Sequence, residues 1–278
     1  MASPPGTTAG PRPRWAPPKL PRLLPFGLSI GVLSLVQAAL VAAPRPAITP
    51  LLSGLRGRAW ALVLPLSIVV VIGAIALESA VAHFLTYLAL VAVPPLAALA
   101  LAAIVRGGRP PLALLAIPLF AVAWAARGAL SGQTAALALS ALACVSLGWL
   151  LACLVPGRWL KLGIYAMAAL DAWLVGSSLL QEPNAVLNAA SPGGLPRLQL
   201  ASFGTAIMGF GDLFIAATLG ALLAHDRRLQ LTGAALTAVI AVAFDLLFLA
   251  VDQLPATVPI ALALAALELW PSRAVSPD

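Results

Sequence analysis

The chain has 278 residues, of which 62% are hydrophobic and only 9% charged, with a mean hydropathy of +1.02. Soluble domains carry about 25% charged residues, so a soluble globular class is excluded and a membrane class is expected. The net charge of +7 does not point to nucleic acid, because the basic residues are spread through short connections between apolar runs, where they set topology.

The expected fold is an all-α polytopic membrane protein. Residues 1–23 are rich in Pro, Gly and Arg and predict a disordered tail. A bilayer takes about 20 apolar residues per crossing. Nine such runs follow, at roughly 24–43, 58–79, 83–105, 110–130, 133–155, 159–181, 202–224, 229–251 and 254–271. The first run is longer than a usual signal-peptide core and reads as a spanning helix. Residues 24–155 then hold helices one to five, and residues 156–278 hold four helices that carry the candidate chemistry. No internal repeat stands out, which argues against an inverted-repeat transporter. Cys144 and Cys153 share one run, about 13 Å apart along a helix, and cannot bridge each other.

Nine crossings put the termini on opposite sides. One side takes six basic residues, four of them in the tail (Arg12, Arg14, Lys19, Arg22) with Arg127 and Arg197. The other takes ten: Arg45, Arg56, Arg58, Arg106, Arg109, Arg158, Lys161, Arg227, Arg228 and Arg273. The count puts the second side in the cytoplasm, with the N-terminus out and the C-terminus in. The Arg-, Ala- and Leu-heavy composition is compatible with a GC-rich bacterial genome, so the expected location is a bacterial cell membrane.

Ionisable residues inside spans mark function by default. Glu78, His83, Asp226, Asp252 and Glu268 fall near span ends and read as solvated. Asp171, Asp212 and Asp245 are deep. Asp171 and Asp212 lie at nearly equal depth on consecutive antiparallel helices, each about 15 Å from their shared connection. Asp245 is set toward the other membrane face. Two carboxyls in one low-dielectric pocket share a proton, so one can take a proton from water while the other polarises a carbonyl. The same pair could instead join two helices, or carry a proton or cation. Gly209 and Gly211 strip bulk from the backbone before Asp212. Asp212, Ala216, Gly220 and Ala224 share one helix face, a stripe suited to close packing.

The motifs around these aspartates resemble a family. "MGFGDLF" at 208–214 is similar to the GxGD signature of the presenilin and signal peptide peptidase family of intramembrane aspartyl proteases. "AALDAWLV" at 168–175 resembles that family's other aspartate motif, and "LPATVPIALAL" at 254–264 its Pro-Ala-Leu element. The likeness covers roughly the last 120 residues; the first five helices match in number and hydrophobicity only. It implies a presenilin-like fold, with Asp171 and Asp212 as catalytic residues. It also implies that Gly209, Phe210, Gly211, Pro255, Ala256 and Pro259 help bind substrate. The chain departs from the pattern at Leu170, where tyrosine is usual, and at Thr257, where leucine is. Prepilin peptidases share a GxGD motif and are the alternative, but their cytoplasmic cysteine motifs are missing here.

The implied partners are transmembrane proteins or peptides, including signal-peptide remnants, within a lipid bilayer. No metal or cofactor is expected, since no His/Cys cluster is present. A substrate helix would have to unwind to present an extended peptide, and the connection at 181–197 is a candidate gate. The rivals from other classes are a proton- or cation-coupled transporter using Asp171, Asp212 and Asp245, and a catalytically silent scaffold.

Overall fold

The computed structural model describes residues 26–46, 53–77, 80–177, 179, 181–190, 193–251 and 253–269. The tail at 1–23, Glu78, Asp252, Ser178 and Arg273 lie outside the described residues.

Helices occupy all nine apolar runs. They are α1 (Phe26–Ala42), α2 (Val63–Leu77), α3 (Ala80–Leu99), α4 (Ala116–Ala125), α5 (Leu130–Leu154), α6 (Gly157–Gly176), α8 (Phe210–Leu223), α9 (Arg227–Asp245) and α10 (Val258–Leu269), with α7 (Gln181–Ala189) in a connection. Among the described residues, five segments are long and apolar enough to cross a membrane: Arg58–Ile75, Ala80–Ile104, Leu130–Leu154, Gly157–Gly176 and Arg227–Leu249. The apolar helices Phe26–Ala42, Pro110–Ala125, Phe210–Leu223 and Val258–Leu269 are shorter than this. The chain is therefore a largely helical membrane protein, with five helices of spanning length among the described residues.

The segment at 202–224, expected as one helix, divides in two. Strands β1 (Leu200–Phe203) and β2 (Ala206–Gly209) pair antiparallel, Leu200 opposite Gly209 and Phe203 opposite Ala206. The turn between them passes through Gly204 at φ +58°, a left-handed conformation that favours glycine. Only then does α8 begin. Continuous apolarity hid this break, because an apolar run has no period to separate strand from helix. A hairpin at this depth needs its loose backbone groups satisfied. Gln133 Oε1 accepts from Gly204 N–H (2.7 Å), and Ser29 Oγ accepts from Thr205 N–H (3.2 Å). Two further boundaries move. The connection after α6 contains α7, and the last helix starts at Val258 rather than 254, after Pro255.

The core is built around α5, which packs on α3, α4 and α8. Small residues set the spacing. A Cβ on Gly148 of α5 would lie 2.7 Å from the Ala217 backbone of α8. One on Gly220 of α8 would lie 2.5 Å from the Val41 carbonyl at the end of α1. The small-residue stripe of α8 thus packs backbone against backbone. Large apolar side chains such as Phe84, Val91, Ile117, Val239 and Leu249 point outward. In water this surface would be a liability; in lipid it is the required exterior. The polar face of α1, Ser29, Ser34 and Gln37, is buried inside instead.

Candidate active site

A cavity of about 680 Å³ opens between α1, α2, α3, α6, β2, the start of α8, the end of α9 and the approach to α10. Asp171, Asp212 and Asp245 all line it, and no Lys, Arg or His among the described residues does. A shallower groove of about 520 Å³ between α4 and α5 is almost wholly apolar and bears no titratable group.

Asp212 sits in the first turn of α8. The sequence places it in mid-helix; the hairpin moves the helix start to Phe210. Its Oδ2 accepts the backbone N–H of Gly209 (3.0 Å), the residue that caps the helix. That bond satisfies one of the donors left free at a helix start, and the positive end of the helix dipole favours a negative charge there. Helix capping alone therefore accounts for part of why an aspartate is tolerated at 212. Capping does not account for its position on a cavity wall shared with a second carboxyl.

Asp171 lies near the end of α6 and is only 6% exposed. Its Oδ2 accepts the hydroxyl of Thr257 at 2.6 Å and, less tightly, the Thr257 backbone N–H at 3.4 Å. Thr257 is fully buried. Asp171 and Asp212 stand on the wall of the same cavity. The later part of α6 and the start of α8 thus bring both carboxyls to one cavity, although Asp212 stands at a helix start and not in mid-helix as expected.

The other expected residues divide. Gly209, Phe210, Gly211, Ala256 and Pro259 line the cavity; Pro255 is not among its lining residues. A Cβ on Gly209 would lie 3.1 Å from Asp212 Oδ2, so bare backbone there keeps the carboxyl in place. At Gly211 a Cβ would meet nothing nearer than Met167 Cε at 3.7 Å, an ordinary contact. Tyr165 donates to Glu268 Oε2 (2.8 Å), while Glu268 Oε1 pairs with Lys161 (2.8 Å), and Tyr165 is not a cavity residue. Leu170 does not line the cavity either.

Several cavity residues are visible only in the fold. Asp245, set toward the other face in the sequence reading, lines this same cavity and accepts the Ser34 hydroxyl (2.7 Å). Gln37 Nε2 donates to the carbonyl of Ala256 (3.1 Å), which ties α1 to the approach of α10. Gln199 is buried at the start of the hairpin, and its Oε1 has no hydrogen-bond partner among the described residues. The polar positions 34 and 37 in an otherwise apolar run were the available signal for the α1 wall. Gln199 gave none. Among the described residues no group of three or more His, Cys, Asp or Glu side chains is placed to hold a metal ion.

No family model, curated protein or solved structure matches the chain.

Proposed function

We propose that the chain is an intramembrane aspartyl protease that cleaves transmembrane helices or signal-peptide remnants at the Asp171/Asp212 pair. The observation that carries this reading is the pair itself: two carboxyls from separate helices on one cavity, with no cation among the described residues lining it. In the proposed reaction one carboxylate removes a proton from water as its oxygen attacks the scissile carbonyl carbon. The other, protonated, donates to the carbonyl oxygen. The tetrahedral diol then collapses as a proton passes to the amide nitrogen, releasing an amine and a carboxylic acid.

Two features suit an unwound peptide. Among the described residues the β1–β2 sheet has two strands and β2 has no partner on its second edge, and an extended chain can add to such an edge. The unpartnered Gln199 Oε1 is an acceptor at the same wall for a backbone N–H.

Nine crossings belong to this reading. Contacts link the end of α1 to the start of α9 (Arg227 to the Ala42 carbonyl), and the start of α6 to the end of α10 (Lys161 to Glu268). The end of α5 is tied to the approach of α2 by Gly57 N–H on the Leu154 carbonyl (2.9 Å). This alternation is what nine antiparallel passes produce. The Arg-bearing end would face the cytoplasm.

The test is reconstitution with a model transmembrane peptide. Wild type should cleave it, and Asp171→Ala and Asp212→Ala should not; undiminished cleavage in both variants would sink the protease. A second reading, a proton- or cation-coupled transporter, draws on one observation, the third carboxyl Asp245 in the same cavity. It requires flux that follows an imposed gradient and vanishes in Asp245→Asn.

A further inference from the structure

Three arginines meet at the far end of α8 from Asp212. The segments that follow α1 and α3 pair through their backbones: Arg45 N–H donates to the Ile104 carbonyl (2.8 Å), and Arg106 N–H to the Ala43 carbonyl (3.0 Å). This crossing sets Arg45 and Arg106 side by side. Gln230, fully buried in the first turn of α9, brings in the third. Its Oε1 accepts from both Arg106 Nε (3.1 Å) and Arg227 Nη1 (2.8 Å), so two guanidinium groups share one oxygen. Its Nε2 is fixed on the carbonyls of Pro44 (3.0 Å) and Gly220 (3.1 Å).

The remaining bonds go to two helix ends and a loop carbonyl, without cancelling the charge. Arg106 Nη2 donates to the Ala224 carbonyl (2.8 Å), Arg227 Nη1 to that of Ala42 (2.7 Å) and Arg45 Nη2 to that of Gly108 (3.0 Å). Carbonyls at a helix C-terminus carry only partial negative charge. Among the described residues none of the three arginines pairs with a carboxylate, and the one ion pair found there is Lys161–Glu268. Asp226, next in sequence to Arg227, turns its Oδ1 to the N–H groups of Arg228 and Leu229 at the start of α9. Burial, then Arg227 and Arg45, push the pKa of Arg106 down; arginine nonetheless stays protonated. A guanidinium has five N–H donors. One of Arg45 and two each of Arg106 and Arg227 are used in these bonds. A carboxylate at the hub would cancel one of the three charges, but the chain carries the neutral amide of Gln230.

We propose that this cluster binds the phosphate of an anionic phospholipid headgroup. Guanidinium groups with spare donors take phosphate oxygens in a forked geometry. Basic pockets between the ends of membrane helices hold such headgroups. The exposed leucines next to Arg227, Leu229 and Leu231, offer acyl chains a surface, which a free phosphate would not use. The site rests on the membrane reading and is independent of the protease.

The test is thermal unfolding of the full chain in nanodiscs of phosphatidylcholine alone and of phosphatidylcholine with phosphatidylglycerol. Phosphatidylglycerol should raise Tm by several degrees, and Arg45→Gln and Arg227→Gln should each lose that rise. Arg158→Gln, an exposed arginine stacked near Trp159, should keep it. Each variant is compared with itself in phosphatidylcholine, so a lower basal stability does not obscure the result. Equal Tm in the two lipids, or an undiminished rise in both cluster variants, would overturn the site. Inorganic phosphate added to phosphatidylcholine discs should give no rise; an equal rise would assign the cluster to a soluble anion and overturn the lipid.

Discussion

The two aspartates of the cavity are held in opposite ways. Asp212 takes its hydrogen bond from Gly209, three residues before it, as part of its own helix start. Asp171 takes its bonds from Thr257, 86 residues further on. One carboxyl is set by local backbone geometry and forms with its helix. The other is set only once α6 and the approach to α10 have come together. A local motif can therefore announce Asp212, while the orientation of Asp171 depends on packing.

The largest effect should come from removing either acid. Asp171→Asn or Asp212→Asn should lower the rate of peptide cleavage in proteoliposomes by roughly a thousandfold or more, and the double variant should be little worse, since the pair acts as a unit. The contrast between local and remote support is sharpened at Thr257. Thr257→Val keeps the shape but removes the hydroxyl. A hydrogen bond to a charged group contributes about 1.5–3 kcal/mol, so kcat should fall about ten- to a hundredfold with KM little changed. Thr257→Ser should recover most of the loss; equal loss in Val and Ser variants would mean that packing, not the hydroxyl, matters.

On the local side, Gly209→Ala presses a methyl on Asp212 Oδ2 and should cost about tenfold in kcat, through misplacement of the carboxyl. Gly211→Ala should stay within about twofold. Indistinguishable rates for the two alanine variants would break the argument that bare backbone at Gly209 protects the acid. The smallest effect is expected at Asp245. Asp245→Asn should change cleavage by no more than about threefold, whereas loss of gradient-driven flux in that variant would favour a transporter.

The sequence made the membrane class, the nine apolar runs and the candidacy of Asp171 and Asp212 legible, because hydropathy and a charge within an apolar run are local quantities. It hid the hairpin, because Leu200–Gly209 is as apolar as the helix that follows. It hid the partnership of Thr257 with Asp171 as well. Thr257 was visible only as a departure from a motif, and no spacing rule links positions 171 and 257. Asp245 was misread by its nominal depth: the helix that carries it ends at the cavity, beside Ser34 of α1. The arginine cluster was read as separate topology charges, since it is assembled by Gln230, an uncharged residue.

The glycine contacts of α8 have a mechanical consequence. Gly148 presses on its backbone from α5, and its own Gly220 presses on the end of α1. With no side chains between these surfaces, α8 has no compressible layer along which to slide. Asp212 is thus mounted on the fixed jaw of a vise. Asp171 stands opposite on α6, bonded through Thr257 to the approach of the last helix, which Gln37 of α1 holds in turn. Under the proposed reading, any widening of the cavity for a peptide would fall to α6 rather than to α8.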